Sequence, residues 1–163
     1  MKKEFTLAKI QESDHEYVVT VIAESNAVVA EQFGISRQNN PKHPSFYTQE
    51  WLASDIARGE QYFVCRQGER VVACVAFEHP RPDTAYLNRL SVLPAYQRQG
   101  IGKMLVEYIV SHAEQLAIST ISIGIIAAHL SLKSWYISLG FEEGETKEIS
   151  HLPFDVTYLR LYL

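Results

Sequence analysis

Apolar and polar residues alternate in short runs along much of this chain, and in places the pattern switches to a helical period. Phe5 to Ile10 reads as a first strand. Ser13-Asp14-His15-Glu16 then has the form of a capping box, a Ser at the N-cap with a Glu three residues on. A helix is expected to follow, with Tyr17, Val18, Val21, Ile22, Val28 and Val29 as its apolar residues, stopping by Gly34. Residues 35–47, punctuated by Asn39-Asn40-Pro41 and His43-Pro44, read as a loop. Thr48 is placed to cap a second short helix through Trp51, Leu52 and Ile56, ending near Gly59. Tyr62 to Arg66 and Arg70 to Phe77 predict a hairpin about Gly68-Glu69, and Thr84 to Val92 a further strand. The clearest helical stripe is Ile101, Met104, Leu105, Tyr108, Ile109 and Ala113, with Lys103, Glu107, Ser111 and Glu114 opposite. Ile121, Ile123 and Ile125 predict a strand. Leu132, Trp135, Tyr136 and Leu139 predict a short helix closed by Gly140, and two strands end the chain over 142–149 and 156–163.

The 163 residues suit one α/β domain spanning 1–163, large enough to bury a core without a metal or disulfide staple. Hydrophobic residues make up 47% and charged residues 21%, which argues against disorder. A net charge of −4 disfavours a broad basic face for nucleic acid. No apolar run approaches the ~18 residues of a membrane span, and the start lacks the apolar core of a signal peptide. A cytoplasmic protein is the expectation. The two cysteines, Cys65 and Cys74, flank the hairpin turn; pairing Gln67 with Arg70 sets Cys65 opposite Val72 and Cys74 opposite Phe63, so the sulfurs lie diagonally and are read as buried free thiols. No close pair of histidines has metal-ligand spacing, and no metal is expected.

The chemistry concentrates in Leu90-Ser91-Val92-Leu93-Pro94-Ala95-Tyr96-Gln97-Arg98-Gln99-Gly100-Ile101-Gly102-Lys103. A strand leads through a short turn into a helix with two glycines in its first turn. Unpaired N–H groups at a helix start favour an anion, Gly100 and Gly102 remove side chains that would block a phosphate, and Arg98 and Lys103 add positive charge. The third glycine of a dinucleotide fingerprint is replaced by Leu105. Gln97 stands where a P-loop needs its first glycine, and Met104 where it needs Ser or Thr.

Gln97-x-x-Gly100-x-Gly102, after Leu90-x-Val92-x-Pro94 and before an amphipathic helix, resembles the acetyl-CoA signature of the GNAT N-acetyltransferase superfamily. Ser134-Trp135-Tyr136-Ile137-Ser138-Leu139-Gly140-Phe141 is similar to its second signature, and the order of elements agrees over nearly the whole chain. The resemblance implies a mixed, mostly antiparallel sheet that splays between two parallel central strands, Thr84–Val92 and 120–127, flanked by about four helices. It implies acetyl-CoA as acyl donor, its pantetheine arm along the backbone of Leu90, Ser91 and Val92 and its pyrophosphate on the amides from Arg98 to Lys103, Gln97, Gln99 and Ile101 included. A neutral amine would attack the thioester directly, with the Val92 N–H polarising the carbonyl and Tyr136 returning a proton to the departing thiolate. His129 stands where relatives carry a cofactor-contacting Asn. Where some relatives place a basic Glu, near Tyr86 and Asn88, there is none, and Glu78 and His79 on the preceding strand are the candidate general bases.

By the same resemblance the acceptor enters between the 35–47 loop, with His43, Phe46 and Tyr47, and the 150–155 loop, with His151, Phe154 and Asp155. Aromatics beside an acidic group suit a small amine. The expected activity is acetyl transfer to a primary amine of a small molecule or peptide. The alternative is a non-catalytic acyl-CoA-binding sensor module. Many relatives dimerise, often through the last strands, which leaves a homodimer open.

Overall fold

The computed structural model of the chain describes residues 4–163. Among these residues seven strands make one sheet: β1 (Phe5–Lys9), β2 (Gln61–Gln67), β3 (Arg70–Arg81), β4 (Thr84–Val92), β5 (Thr120–Ile126), β6 (Glu142–Lys147) and β7 (Val156–Tyr162). Their spatial order is β1-β2-β3-β4-β5-β7-β6. Neighbours are antiparallel except β4 and β5, which run parallel. Four α-helices among the described residues complete the fold: α1 (His15–Gln32), α2 (Gln49–Ala57), α3 (Ile101–Gln115) and α4 (Leu130–Ser138). This is the mixed, splayed α/β architecture that the sequence implied.

The strands alternate their side chains between two apolar layers. On one face Phe63, Cys65, Val75 and Phe77 meet Ile101, Leu105, Ile109 and Ala113 of α3 and Tyr136 of α4. On the other, Tyr62, Val64, Cys74 and Ala76 meet Val18, Val21 and Ile22 of α1 and Leu52 of α2. Leu105 is fully buried, and truncating it to Ala costs about 2–5 kcal/mol.

Three local expectations are corrected. Ser13 does not cap α1. Asp14 instead accepts from the Gln11 backbone N–H at 2.8 Å and pairs in bidentate fashion with Arg66, at 2.6 and 2.7 Å. A carboxylate meeting a guanidinium outbids a hydroxyl for that turn, so a short 3-10 segment (Glu12–Asp14) precedes α1. Tyr17 and Val28 face solvent, and the buried stripe of α1 is Val18, Val21, Ile22 and Ala30. In the hairpin Gln67 does pair with Arg70, but a bulge at Cys65/Arg66 shifts the register, so Cys65 faces Ala73 and Cys74 faces Val64. The two cysteines then lie in opposite apolar layers as buried free thiols.

The feature that positions the site is the parting of β4 from β5. They pair only at Thr84↔Thr120, Ala85↔Ile121 and Tyr86↔Ser122. Beyond Tyr86, β4 holds to β3 and β5 to β7. Between Asn88↔Ala76 and Ser91↔Cys74, β4 has two residues against one on β3. That β-bulge places Arg89 in the left-handed region at φ 55°, a conformation that costs a non-glycine residue about 1 kcal/mol, and it bends β4 away from its parallel neighbour.

Candidate active site

The wedge between the parted strands is a cleft of about 1020 Å³. Its walls are β4 from Leu87 to Val92, the far end of β5, the first turn of α3, the inner side of α4 and residues 25–32 of α1.

At one end stands the turn into α3. Arg98 and Gly100 both adopt left-handed backbone, at φ 63° and 81°. Among the described residues, no amide from Arg98 to Lys103 has an acceptor in the protein; the first helical bond is Met104 N–H to Gly100 C=O. Such a run of outward N–H groups, reinforced by the helix dipole, is an anion cradle. The two glycines serve it differently than their spacing suggests. A Cβ at Gly100 would meet nothing within 4 Å, so glycine is there for its φ. A Cβ at Gly102 would come 3.2 Å from the Trp135 ring, so this glycine makes room for α4 to close on α3.

Deeper in the gap lies Val92. The Leu93 N–H donates to the Val72 carbonyl at 2.9 Å, which makes Val92↔Ala73 a non-bonded pair of the antiparallel ladder. The Val92 N–H and C=O therefore point away from β3, into the gap. Gln97 Nε2 donates to that carbonyl at 3.3 Å, which leaves the N–H. Leu90 also lines the cleft. Ser91 does not: its backbone is on the β3 side, and its hydroxyl donates to the Arg89 carbonyl at 3.0 Å. Gln99 is not part of the wall, whereas Gln97, Arg98, Ile101, Lys103 and His129 are.

Tyr136 is buried between Trp135 and Phe141, at ring-centroid distances of 4.9 and 5.3 Å, and reaches the same cleft. Its hydroxyl has no hydrogen-bond partner among the described residues. Burial pushes its pKa above the usual phenol value, so the group holds its proton at neutral pH. His129 begins α4, with Nδ1 3.3 Å from the Ser131 hydroxyl and its ring 5.1 Å from Phe33 at the end of α1.

The opposite wall carries a polar network that sequence reading had only partly found. Glu60, buried at 3% exposure, lines the cleft beside Arg58, Asn88 and Arg89. Its carboxylate accepts from the Tyr62 hydroxyl at 2.6 Å, Asn88 Nδ2 at 3.1 Å and Arg58 at 3.2 Å. Glu78 stands behind, bonded to Arg58 and 3.4 Å from Asn88 Nδ2. His79 lies apart from the cleft, at the β3–β4 turn, 3.3 Å from the Pro82 carbonyl. Tyr47 is buried below Arg89, its hydroxyl donating to Asp55 at 2.5 Å, and burial raises its pKa. Phe46 packs under Arg37 at 4.4 Å. Of the acceptor residues expected from sequence, His43 and Phe154 line the cleft; Phe46, Tyr47 and His151 do not. His43 accepts at Nδ1 from the Ser45 amide at 3.2 Å, so its neutral ring carries its proton on Nε2. Burial, and then the Arg89 charge, lower its pKa. Glu60 and Arg89 carried no local motif; their meaning comes from strands that meet only in the fold.

The family model described as the acetyltransferase (GNAT) family matches residues 11–141. The [ribosomal protein bS18]-alanine N-acetyltransferase of Escherichia coli (strain K12) is 31% identical over 110 residues, covering 61% of this chain and 74% of that protein. The crystal structure of the ribosomal-protein-S18-alanine N-acetyltransferase from Escherichia coli superposes with a TM-score of 0.78 at 20% identity, over 98% of this chain and 94% of that one. That of PaiA N-acetyltransferase from Thermoplasma acidophilum, in complex with coenzyme A, gives 0.83 at 18% identity, over 98% and 99%. The chain belongs to the acetyltransferase (GNAT) family and, with it, to the N-acetyltransferases that take their acetyl group from acetyl-CoA.

Proposed function

We propose that this enzyme acetylates a primary amine, of a small molecule or of a peptide, inside the cleft between β4 and β5. The observation that carries the reading is the alignment, along one cleft, of a free amide row opening α3, the inward N–H of Val92 and the unpartnered hydroxyl of Tyr136. Acetyl-CoA supplies an activated carbonyl and a thiolate leaving group. The amides from Arg98 to Lys103 fit its diphosphate. The Val92 N–H meets the negative charge that grows on the carbonyl oxygen, and a preorganised donor there contributes ~3–4 kcal/mol. The Tyr136 hydroxyl gives its proton to the departing sulfur.

On the other wall the acceptor must shed a proton before its nitrogen attacks. Glu60 is the carboxylate at the cleft, and Glu78 supports it through Arg58 and Asn88; we assign the proton-accepting part to Glu60 in place of Glu78 or His79. The similar Escherichia coli protein is named for an alanine of a ribosomal protein, which supports an exposed N-terminal amine as one acceptor class. The test is an amine and peptide panel that follows free-thiol release from acetyl-CoA. Release with at least one primary amine is expected. Tight acetyl-CoA binding without release across the panel would leave a cofactor-binding module in its place.

A further inference from the structure

Arg89 lines the cleft, yet among the described residues its guanidinium donates no hydrogen bond. Its Nε is buried and unpartnered. The nearest carboxylate oxygen, on Asp55, is 3.6 Å from a terminal nitrogen, and the guanidinium carbon lies 5.0 Å from the centre of the Tyr47 ring. A guanidinium has five N–H donors, and leaving one of them, the Nε–H, buried without an acceptor is unfavourable. The backbone beneath it is the left-handed bulge of β4, and such strained non-glycine positions gather at ligand clamps. His43 stands on the same wall. Its Nδ1 is taken by Ser45, and Nε2–H is a second donor without a protein acceptor. Glu60, also on this wall, is charged in the opposite sense.

An acceptor that satisfies this wall offers an amine to the carboxylate and an oxygen to Arg89 and His43. We infer that the acceptor is an α-amino carbonyl unit, either a free amino acid or the first residue of a peptide, with Arg89 as the residue that reads its oxygen. This rests on the transferase reading above. A plain alkylamine would leave both donors unpaired, and sites built to hydrogen-bond a substrate reject analogues lacking the group.

The experiment measures kcat/KM at saturating acetyl-CoA for amino-acid amides, free amino acids and matched alkylamines, alaninamide, alanine and ethylamine among them. Wild type is expected to prefer the carbonyl-bearing amines by about 100-fold or more. Arg89→Gln is expected to collapse that preference by about 10- to 100-fold, mainly through the acceptor KM, with Arg89→Lys restoring part of it. Faster use of alanine assigns a carboxylate and a free amino acid; faster use of alaninamide assigns a peptide terminus. Equal use of ethylamine by wild type overturns the inference, whether or not the variants fold. So does an equal loss on all three amines in Arg89→Gln, the mark of a merely structural role. Acetyl-CoA bound with no amine acetylated refutes the transferase reading itself and takes this inference with it.

Discussion

Replacing Tyr136 with Phe removes a single oxygen and leaves the packing against Trp135 and Phe141 in place. That oxygen has no protein partner and is accessible from the cleft, where water can meet it, so its loss breaks no hydrogen bond of the folded chain. The variant should therefore be as stable as wild type to within ~0.5 kcal/mol, which is ~1–2 °C in Tm for a domain of this size. Catalysis should fall. Burial holds the phenol pKa above its usual ~10, so the group stays protonated through the working range and is a proton donor. Losing a positioned acid lowers kcat ~100-fold, or ~2.7 kcal/mol in the barrier. The assay is thiol release at saturating acetyl-CoA and amine, with calorimetric CoA binding and a thermal melt on the same samples. A lower kcat with an unmoved Tm, and CoA affinity within about twofold, is the expected result. An unchanged kcat removes Tyr136 from the mechanism. A Tm several degrees lower shows that the hydroxyl anchors the fold, and the rate loss then says nothing about acid catalysis.

Glu60→Gln keeps the side-chain shape but cannot take a proton; kcat/KM at neutral pH should fall ~100-fold, with the deficit shrinking as pH rises past the acceptor amine's own pKa. A pH–rate profile parallel to wild type would clear Glu60. Gly100→Glu sets a carboxylate among the free amides at a position that demands φ 81°; CoA affinity measured by calorimetry should be lost while the melt stays cooperative, and retained affinity would refute the phosphate cradle. Asp14→Asn leaves Arg66 without its counter-charge, and breaking so buried a pair should cost about 2–3 kcal/mol in a chemical-denaturation curve. The hydrogen bond from Arg66 lowers the Asp14 pKa below its unfolded 3.8. That stabilisation is present in full above the unfolded value and is lost as pH falls through the folded one, so Asp14→Asn should flatten the acid limb of Tm against pH below about 4. An unaltered acid limb would mean the pair contributes nothing.

The parts of the site legible in the sequence are those built from neighbours along the chain. The α3 stripe, the glycines that open it, Thr48 as the cap of α2, bonded to the Trp51 amide at 3.2 Å, and left-handed Gly140 after α4 each depend on residues within one or two turns. The parts that were missed depend on distant partners. Ser13 satisfies the local rule for a cap, yet Arg66, on a strand 52 residues further on, claims Asp14 and moves the helix start. Glu60 is an ordinary loop carboxylate until β4 brings Asn88 to it across 28 residues. Gly102 reads as a phosphate clearing because Trp135 is invisible from its own segment.

The bulge in β4 is the clearest instance, and much of the proposed chemistry depends on it. An extra residue opposite Val75 shows in Leu87–Val92 only as one break in the alternation, the adjacent polar pair Asn88-Arg89, which by itself does not announce a bulge. Were β4 to run on from Asn88 with all its residues and no bulge, its alternation would be unbroken, and Val92 would turn its N–H toward β3 instead of the gap. The strand would also continue straight beside β5, closing the wedge that a pantetheine arm needs, and Arg89 would lose the left-handed turn that sets it on the acceptor wall. A register change of one residue thus couples donor and acceptor recognition. Deleting Leu90 would restore the regular ladder while keeping Val92 opposite Ala73 with its N–H in the gap; by closing the wedge and removing the Arg89 turn it should weaken CoA binding and acceptor selectivity together, whereas point changes at either wall affect one and spare the other.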